Sequence, residues 1–114
     1  MVYILHTYLK NRQKVIIALQ DIYGIGNTLA EKICDNLGLN DKVKIHQLTN
    51  LQLDQLTLLL SHNYFLGSPL KRSVRSHIER LIRISSYRGF RHTQRLPSRG
   101  QRTSTNAQTC RRIK

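Results

Sequence analysis

RQKVIIALQDIYGIGNTLAEKICDNLG, residues 12–38, is the stretch that decides the fold. Two apolar stripes at helical spacing flank a stop that contains two glycines. Val15, Ile16, Ala18, Leu19 and Ile22 make the first stripe, which predicts a helix over residues 12–21 capped by Asn11. Tyr23, Gly24, Ile25 and Gly26 end it, with Ile25 as the apolar plug that pins the turn to the core. Thr28 followed by Glu31 has the spacing of a capping box, in which each side chain satisfies a backbone donor of the other. A second helix is therefore expected over residues 29–37, with Leu29, Ile33 and Leu37 buried and Gly38 closing its C-terminus.

The pattern continues on both sides. Residues 2–9 (VYILHTYL) are β-branched and aromatic with partial alternation, as in a short strand or an ordered arm. Residues 42–48 read as an extended connector. Thr49 and Gln52 repeat the capping-box spacing ahead of a third helix, roughly residues 50–62, with Leu53, Leu56 and Leu60 on one face, widened by Leu58 and Leu59. Ser68 and Pro69 suit the start of a fourth helix running to about Ile84, whose expected buried face is Leu70, Val74, Ile78, Leu81 and Ile82. The fold class is mainly α: a small helical domain over residues 1–84, followed by an extended basic tail over residues 85–114.

The chain has 114 residues, enough for one core, and a formal charge of +13 at a sequence pI near 10.6. That charge is unevenly placed. Residues 1–70 carry six basic and five acidic side chains, whereas residues 71–114 carry thirteen basic and one acidic. After Ile84 the large apolar residues are Tyr87, Phe90, Leu96 and Ile113, too few to offset the entropy of ordering the tail on its own. This balance selects a polyanionic partner. The sequence contains no run of about eighteen apolar residues of the kind that spans a membrane, and Lys10, Arg12 and Lys14 break up any signal-peptide core near the N-terminus. Pro97, Gly89 and Gly100 would interrupt a membrane-surface helix in the tail. Two isolated thiols, Cys34 and Cys110, give no disulfide framework.

Two motifs carry chemistry. In the first, Gly24 and Gly26 flank the plug at a helix junction, where the backbone can approach a phosphate and the next helix turns its positive end outward. The plainer alternative is a tight turn without a ligand. In the second, residues 85–114 hold seven Arg, one Lys and no acid. Arg offers planar donor pairs for phosphate oxygens, while Tyr87, Phe90 and His92 can stack on unpaired bases. The plainer alternative here is a solvated charge tail, which would have no need of guanidinium over ammonium. The acids Asp21, Glu31, Asp35, Asp41, Asp54 and Glu79 form no acid–base pair, and the five histidines lack metal-ligand spacing. No enzyme activity, cofactor or metal is expected, and Cys34 reads as a small core residue.

At these two motifs the chain resembles a known family. IALQDIYGIG (residues 17–26) and YRGFRHTQRLPSRGQRTSTNAQT (residues 87–109) closely resemble the bacterial-type small-subunit ribosomal protein thirteen family, and the likeness runs in order along essentially the whole chain. Within it the likeness is to organelle-type, mitochondrial members, since the sequence stops soon after Cys110, Arg111 and Arg112; the lack of a presequence would fit a protein encoded inside the organelle. Two positions depart from the family pattern: Gln108 stands where Arg is common, and Ser85 where many relatives have Gly.

The resemblance implies a helix, two-turn, helix fold in the head of the small subunit and a mitochondrial location. It implies rRNA contacts at Gly24, Gly26, Arg72, Arg75, Tyr87, Arg88, Arg91, His92, Arg95, Arg99, Arg102, Thr103 and Asn106. It also implies pairing with small-subunit protein nineteen, contact with the large subunit's central protuberance, and an approach to A- and P-site tRNA by Arg111, Arg112 and Lys114. A DNA-binding module built on the same hairpin, like the middle domain of certain DNA glycosylases, is the nearest alternative.

Overall fold

The structure is a computed structural model that describes residues 2–112. The chain is mainly helical, as expected, and divides into two compact units, Met1–Lys71 and Arg72–Lys114. The long fourth helix thus belongs mostly with the tail, whereas a division at 84/85 was expected from the apolar pattern.

The first unit opens with an antiparallel hairpin of β1 (Val2–Ile4) and β2 (Thr7–Leu9), with Val2 opposite Leu9, Tyr3 opposite Tyr8 and Ile4 opposite Thr7. Ile4 and Leu9 are buried, while Tyr3 and Tyr8 are exposed on the other face with ring centroids 5.5 Å apart. The two turn residues, Leu5 and His6, both have positive φ (48° and 63°), a geometry that tight hairpins need and that Asn-Gly normally supplies. Leu5 is held there because its side chain packs against the core.

Helix α1 is Val15–Leu19, shorter than the expected 12–21, and Asn11 does not cap it. The reason is tertiary. The Ile45 amide donates to the Gln13 carbonyl (3.1 Å) and the Val15 amide to the Val43 carbonyl (3.0 Å), with a bridge between Lys14 and Lys44. Residues 11–15 are thereby drawn into pairing with 43–46, and the side-chain oxygen of Asn11 is buried without a partner among the described residues. The expected extended connector contains a 3-10 turn, Ile45–Gln47, for the same reason. The His46 Nδ1–H donates to the Asn11 carbonyl at 3.0 Å, adding a side-chain tie to this crossing.

Helix α2 (Asn27–Asn36) starts two residues earlier than expected, with Gly26 at the capping position and no side-chain cap. The expected Thr28–Glu31 box does not form. Glu31 accepts instead from the Asn27 side-chain amide, 3.1 Å away. Its other end closes as read: Gly38 has φ +65°, and the Leu39 amide donates to the Cys34 carbonyl at 2.9 Å. Helix α3 (Asn50–Asn63) has the expected reciprocal box, with the Gln52 amide donating to Thr49 Oγ1 and the Thr49 amide to Gln52 Oε1. Leu56 and Leu60 are buried, whereas Leu58 faces outward. All buried apolar residues of the core lie between Ile4 and Leu66.

Helix α4 (Ser68–Arg83) matches its expected span but not its expected burial: none of its residues is buried, and Val74 and Ile82 are exposed. Of its apolar stripe, Leu70, Ile78 and Leu81 are half-buried, so the stripe is only partly covered among the described residues. The tail, expected to be extended, contains α5 (Tyr87–Thr93) and α6 (Gln108–Arg112). Helix α5 forms because Ser86 caps it, its hydroxyl accepting from the Gly89 amide (3.1 Å) while donating to the Leu81 carbonyl (2.9 Å). Gly89 is the contact that lets α5 close on α4, since a Cβ there would overlap the Leu81 carbonyl and meet the Ile82 nitrogen at 2.6 Å.

Candidate nucleic-acid interface

Within the first unit the two glycines of the hairpin differ in kind. Gly24 has φ +103°, and a Cβ on it would meet the Leu70 and Leu66 side chains at 2.7 and 2.9 Å. The protein's own packing therefore requires glycine there. Gly26 has φ −102° and ψ −175°, extended backbone open to any residue, and a Cβ on it would meet nothing within 4 Å. Among the described residues no neighbour requires glycine at that position, the N-cap at the positive end of α2. Ile25 between them is buried, as its role of plug demands.

Lys71 lies beside this turn, with Nζ 5.1 Å from the centroid of the Tyr23 ring, and the Gly67 amide donates to the Tyr23 carbonyl at 2.9 Å. His6, Tyr23 and Lys71 line one depression of 370 Å³. Sequence reasoning did not find Lys71 as a neighbour of Tyr23, since forty-seven intervening residues leave no local signal. A second depression of the same volume gathers Glu31, Asp35 and Asp41, beside Ile16 and Ile17. The two aspartates, after burial itself, help push the Cys34 thiol up from 9.0 to about 11. Among the described residues no group of three His, Cys, Asp or Glu could hold a metal ion, and no helix is long and apolar enough to cross a membrane.

In the second unit Arg72, Arg75, Arg88, Arg95, Arg99 and Arg102 are exposed. Arg72 and Arg75 are one turn apart on α4 and share a face. Arg91 is half-buried: its Nε donates to the Pro97 carbonyl at 2.9 Å, which holds the guanidinium 5.9 Å from the Tyr87 ring centroid. His92 is also half-buried, on the same helix. Asn106 closes a turn by donating to the Arg102 carbonyl (2.9 Å), and Arg102 Nε donates to Ser104 Oγ (2.9 Å). Thr103 is exposed, and its carbonyl accepts from the Arg111 guanidinium. Arg111 is thus folded back on the turn, whereas Arg112 is exposed at the end of α6; Lys114 lies outside the described residues. Arg95 ends α5 with φ +58°. From Arg72 to Arg112 the only buried residues are Gly89 and Pro97.

A helical knob with its own core, joined to an arginine-rich segment that folds but buries almost nothing, is the architecture of a protein that is completed by a polyanion. The family model described as "Ribosomal protein S13/S18" matches residues 3–109, and the chain belongs to that family. It is 51% identical to "Small ribosomal subunit protein uS13m" of Marchantia polymorpha over all of this chain and 95% of that protein. It is 46% identical to the protein of the same name in Daucus carota (98% and 97% covered) and 44% identical to "Small ribosomal subunit protein uS13" of Endomicrobium trichonymphae (89% and 78%). The chain is accordingly a structural constituent of the small ribosomal subunit, of the mitochondrial type, associated with rRNA and with no enzymatic role.

Proposed function

We propose that residues 1–84 act as a knob seated in the subunit head and that residues 85–114 bind rRNA, together with Arg72 and Arg75 on α4. The observation that carries this reading is the coreless second unit: helices, twelve cations, a single acid, and no large buried side chain between Arg72 and Arg112. Such a segment gains its ordering energy from phosphate contacts and displaced counterions rather than from its own packing. Its sites are Arg72, Arg75, Tyr87, Arg88, Arg91, His92, Arg95, Arg99, Arg102, Thr103 and Asn106. Arg102, Asn106 and Arg91 are held by hydrogen bonds in the free chain, so they meet rRNA as shaped turns rather than as loose side chains.

Gly26 supplies a backbone phosphate site at the start of α2, and Gly24 shapes the turn that presents it. Gly26→Asp separates this from a purely structural role, because the two effects have opposite signs. As a helix cap, Asp is better than Gly and sits well against the helix dipole, so the free protein should be as stable as the parent or more so by a few tenths of a kcal/mol. As a neighbour of phosphate, it should weaken binding to small-subunit rRNA by about 10-fold, the scale of one lost charged contact. Filter binding beside thermal unfolding reads both, and parental rRNA affinity in a folded variant would reduce the hairpin to a turn.

The finer contacts follow the same reading. The knob meets small-subunit protein nineteen and the large subunit's central protuberance, and Arg111, Arg112 and Lys114 approach A- and P-site tRNA. Deleting residues 111–114 should leave subunit assembly near normal and weaken tRNA retention; unchanged retention would reject the tRNA role. Crosslinks from the knob that reach neither protein would reject the protein contacts.

A further inference from the structure

The second unit exposes an apolar surface that phosphate binding does not use. Ile82 on α4 and Tyr87 and Phe90 on α5 are 41%, 71% and 57% exposed, and with Ser85 and Ser86 they line one depression of 340 Å³. Tyr87 and Phe90 are three residues apart on α5, so their rings share a face. The Ser86 hydroxyl bonds to both helices, and Gly89 lets them close, so the two walls of the depression are held against each other. The Arg91 guanidinium stands beside one lining residue, 5.9 Å from the Tyr87 ring centroid, fixed by the Pro97 carbonyl.

We propose that this depression is a stacking site for an unpaired RNA base, with Phe90 and Tyr87 as the platform and Arg91 meeting the adjoining phosphate. The proposal rests on the RNA-binding reading above and deepens it from phosphate contact to base contact. The occupant follows from charge complementarity. An apolar patch with an arginine beside it, in a unit with twelve cations and one acid, suits a ligand with planar apolar faces and a negative backbone, and an unpaired nucleotide has both. Regular duplex RNA offers phosphates but keeps its base faces covered. Phe90 has no hydrogen-bonding group, so its ring cannot read base edges and meets RNA by apolar contact, for which an unpaired base offers its faces.

The test uses the full chain with two probes, a short oligoadenylate and an abasic oligoribonucleotide of the same length. Phe90→Ala should lose about 10-fold in affinity for oligoadenylate, the scale of one base–aromatic stack, and keep its affinity for the abasic strand. Phe90→Trp should restore binding, and because the chain has no native Trp, its fluorescence should be quenched by oligoadenylate and not by the abasic strand. Equal losses on both probes, or none on either, overturn the stacking site; the second result would leave the patch to a protein partner. Failure of the parent chain to bind either probe would overturn the RNA-binding reading as well, which distinguishes the two failures.

Discussion

Ser85 terminates α4 in the left-handed region, φ +57°, with the Ser85 amide donating to Ile82 and the Ser86 amide to Leu81. A Cβ in that region costs about 1–2 kcal/mol, against about 0.5–1 for the extra freedom glycine loses on folding. Ser85→Gly should therefore stabilise the helix end slightly, read as slower hydrogen exchange at the Ser86 amide; faster exchange would show that the serine side chain does more than tolerate the turn. Cys34 offers a second residue-scale test. Its thiol, buried beside Asp35 and Asp41, is pushed up to about 11, so the folded state holds the proton more tightly than the unfolded one. The resulting stability is complete below about pH 9 and is lost as pH rises towards 11. The parent's unfolding midpoint should fall more steeply across that window than that of Cys34→Ala, and matching slopes would refute the coupling. In native protein a thiol reagent should modify half-buried Cys110 well before Cys34.

Among the elements, those bounded by local hydrogen bonds are the ones legible in sequence. The box at Thr49 and Gln52 is one, and the Gly38 closure of α2 is another, because partners three to five residues apart leave a spacing that can be read. Helix α1 fails that test: its start depends on Val43 and Ile45, some thirty residues away. Helix α5 was hidden differently. Its Arg and Gly content reads as an open tail, although Ser86 before it was a usable cap signal. The corner between α4 and α5 rests on Gly89, where a Cβ would overlap the Leu81 carbonyl. Gly89→Ala should detach α5 at a cost of about 1–3 kcal/mol, typical of forced overpacking. The expected signature is loss of amide protection over residues 87–93 with the amides of α3 unchanged, and retained protection there would mean the corner can give way without opening.

For the whole molecule, the division of labour is electrostatic. All of the buried apolar core lies between Ile4 and Leu66, and twelve of the thirteen net positive charges lie after Leu70. If about six of the tail's cations meet phosphates, log K for free rRNA should fall with log salt at a slope of roughly four to five. Truncation after Ser86 should keep the core and much of the helical signal while flattening that slope. A full-length chain with a flat salt response would contradict the phosphate interface, and a truncated one with the parental slope would move that interface into the knob.

What the amino-acid order determined alone was whatever acts within a few residues or by sum: the helical stripes, the glycine stop, the Thr49 box, and the placing of charge away from the apolar residues. The tertiary structure alone decided what depends on residues far apart in the chain. It shortened α1 by pairing residues 11–15 with 43–46, set Lys71 beside Tyr23, and left Val74 and Ile82 of the α4 stripe exposed. It also separated Gly24, which Leu66 and Leu70 require, from Gly26, which no neighbour requires. The physical reason is that periodicity and capping are written in short-range hydrogen bonds and side-chain spacing, whereas the room around a Cβ is set by whichever distant side chain the fold brings against it.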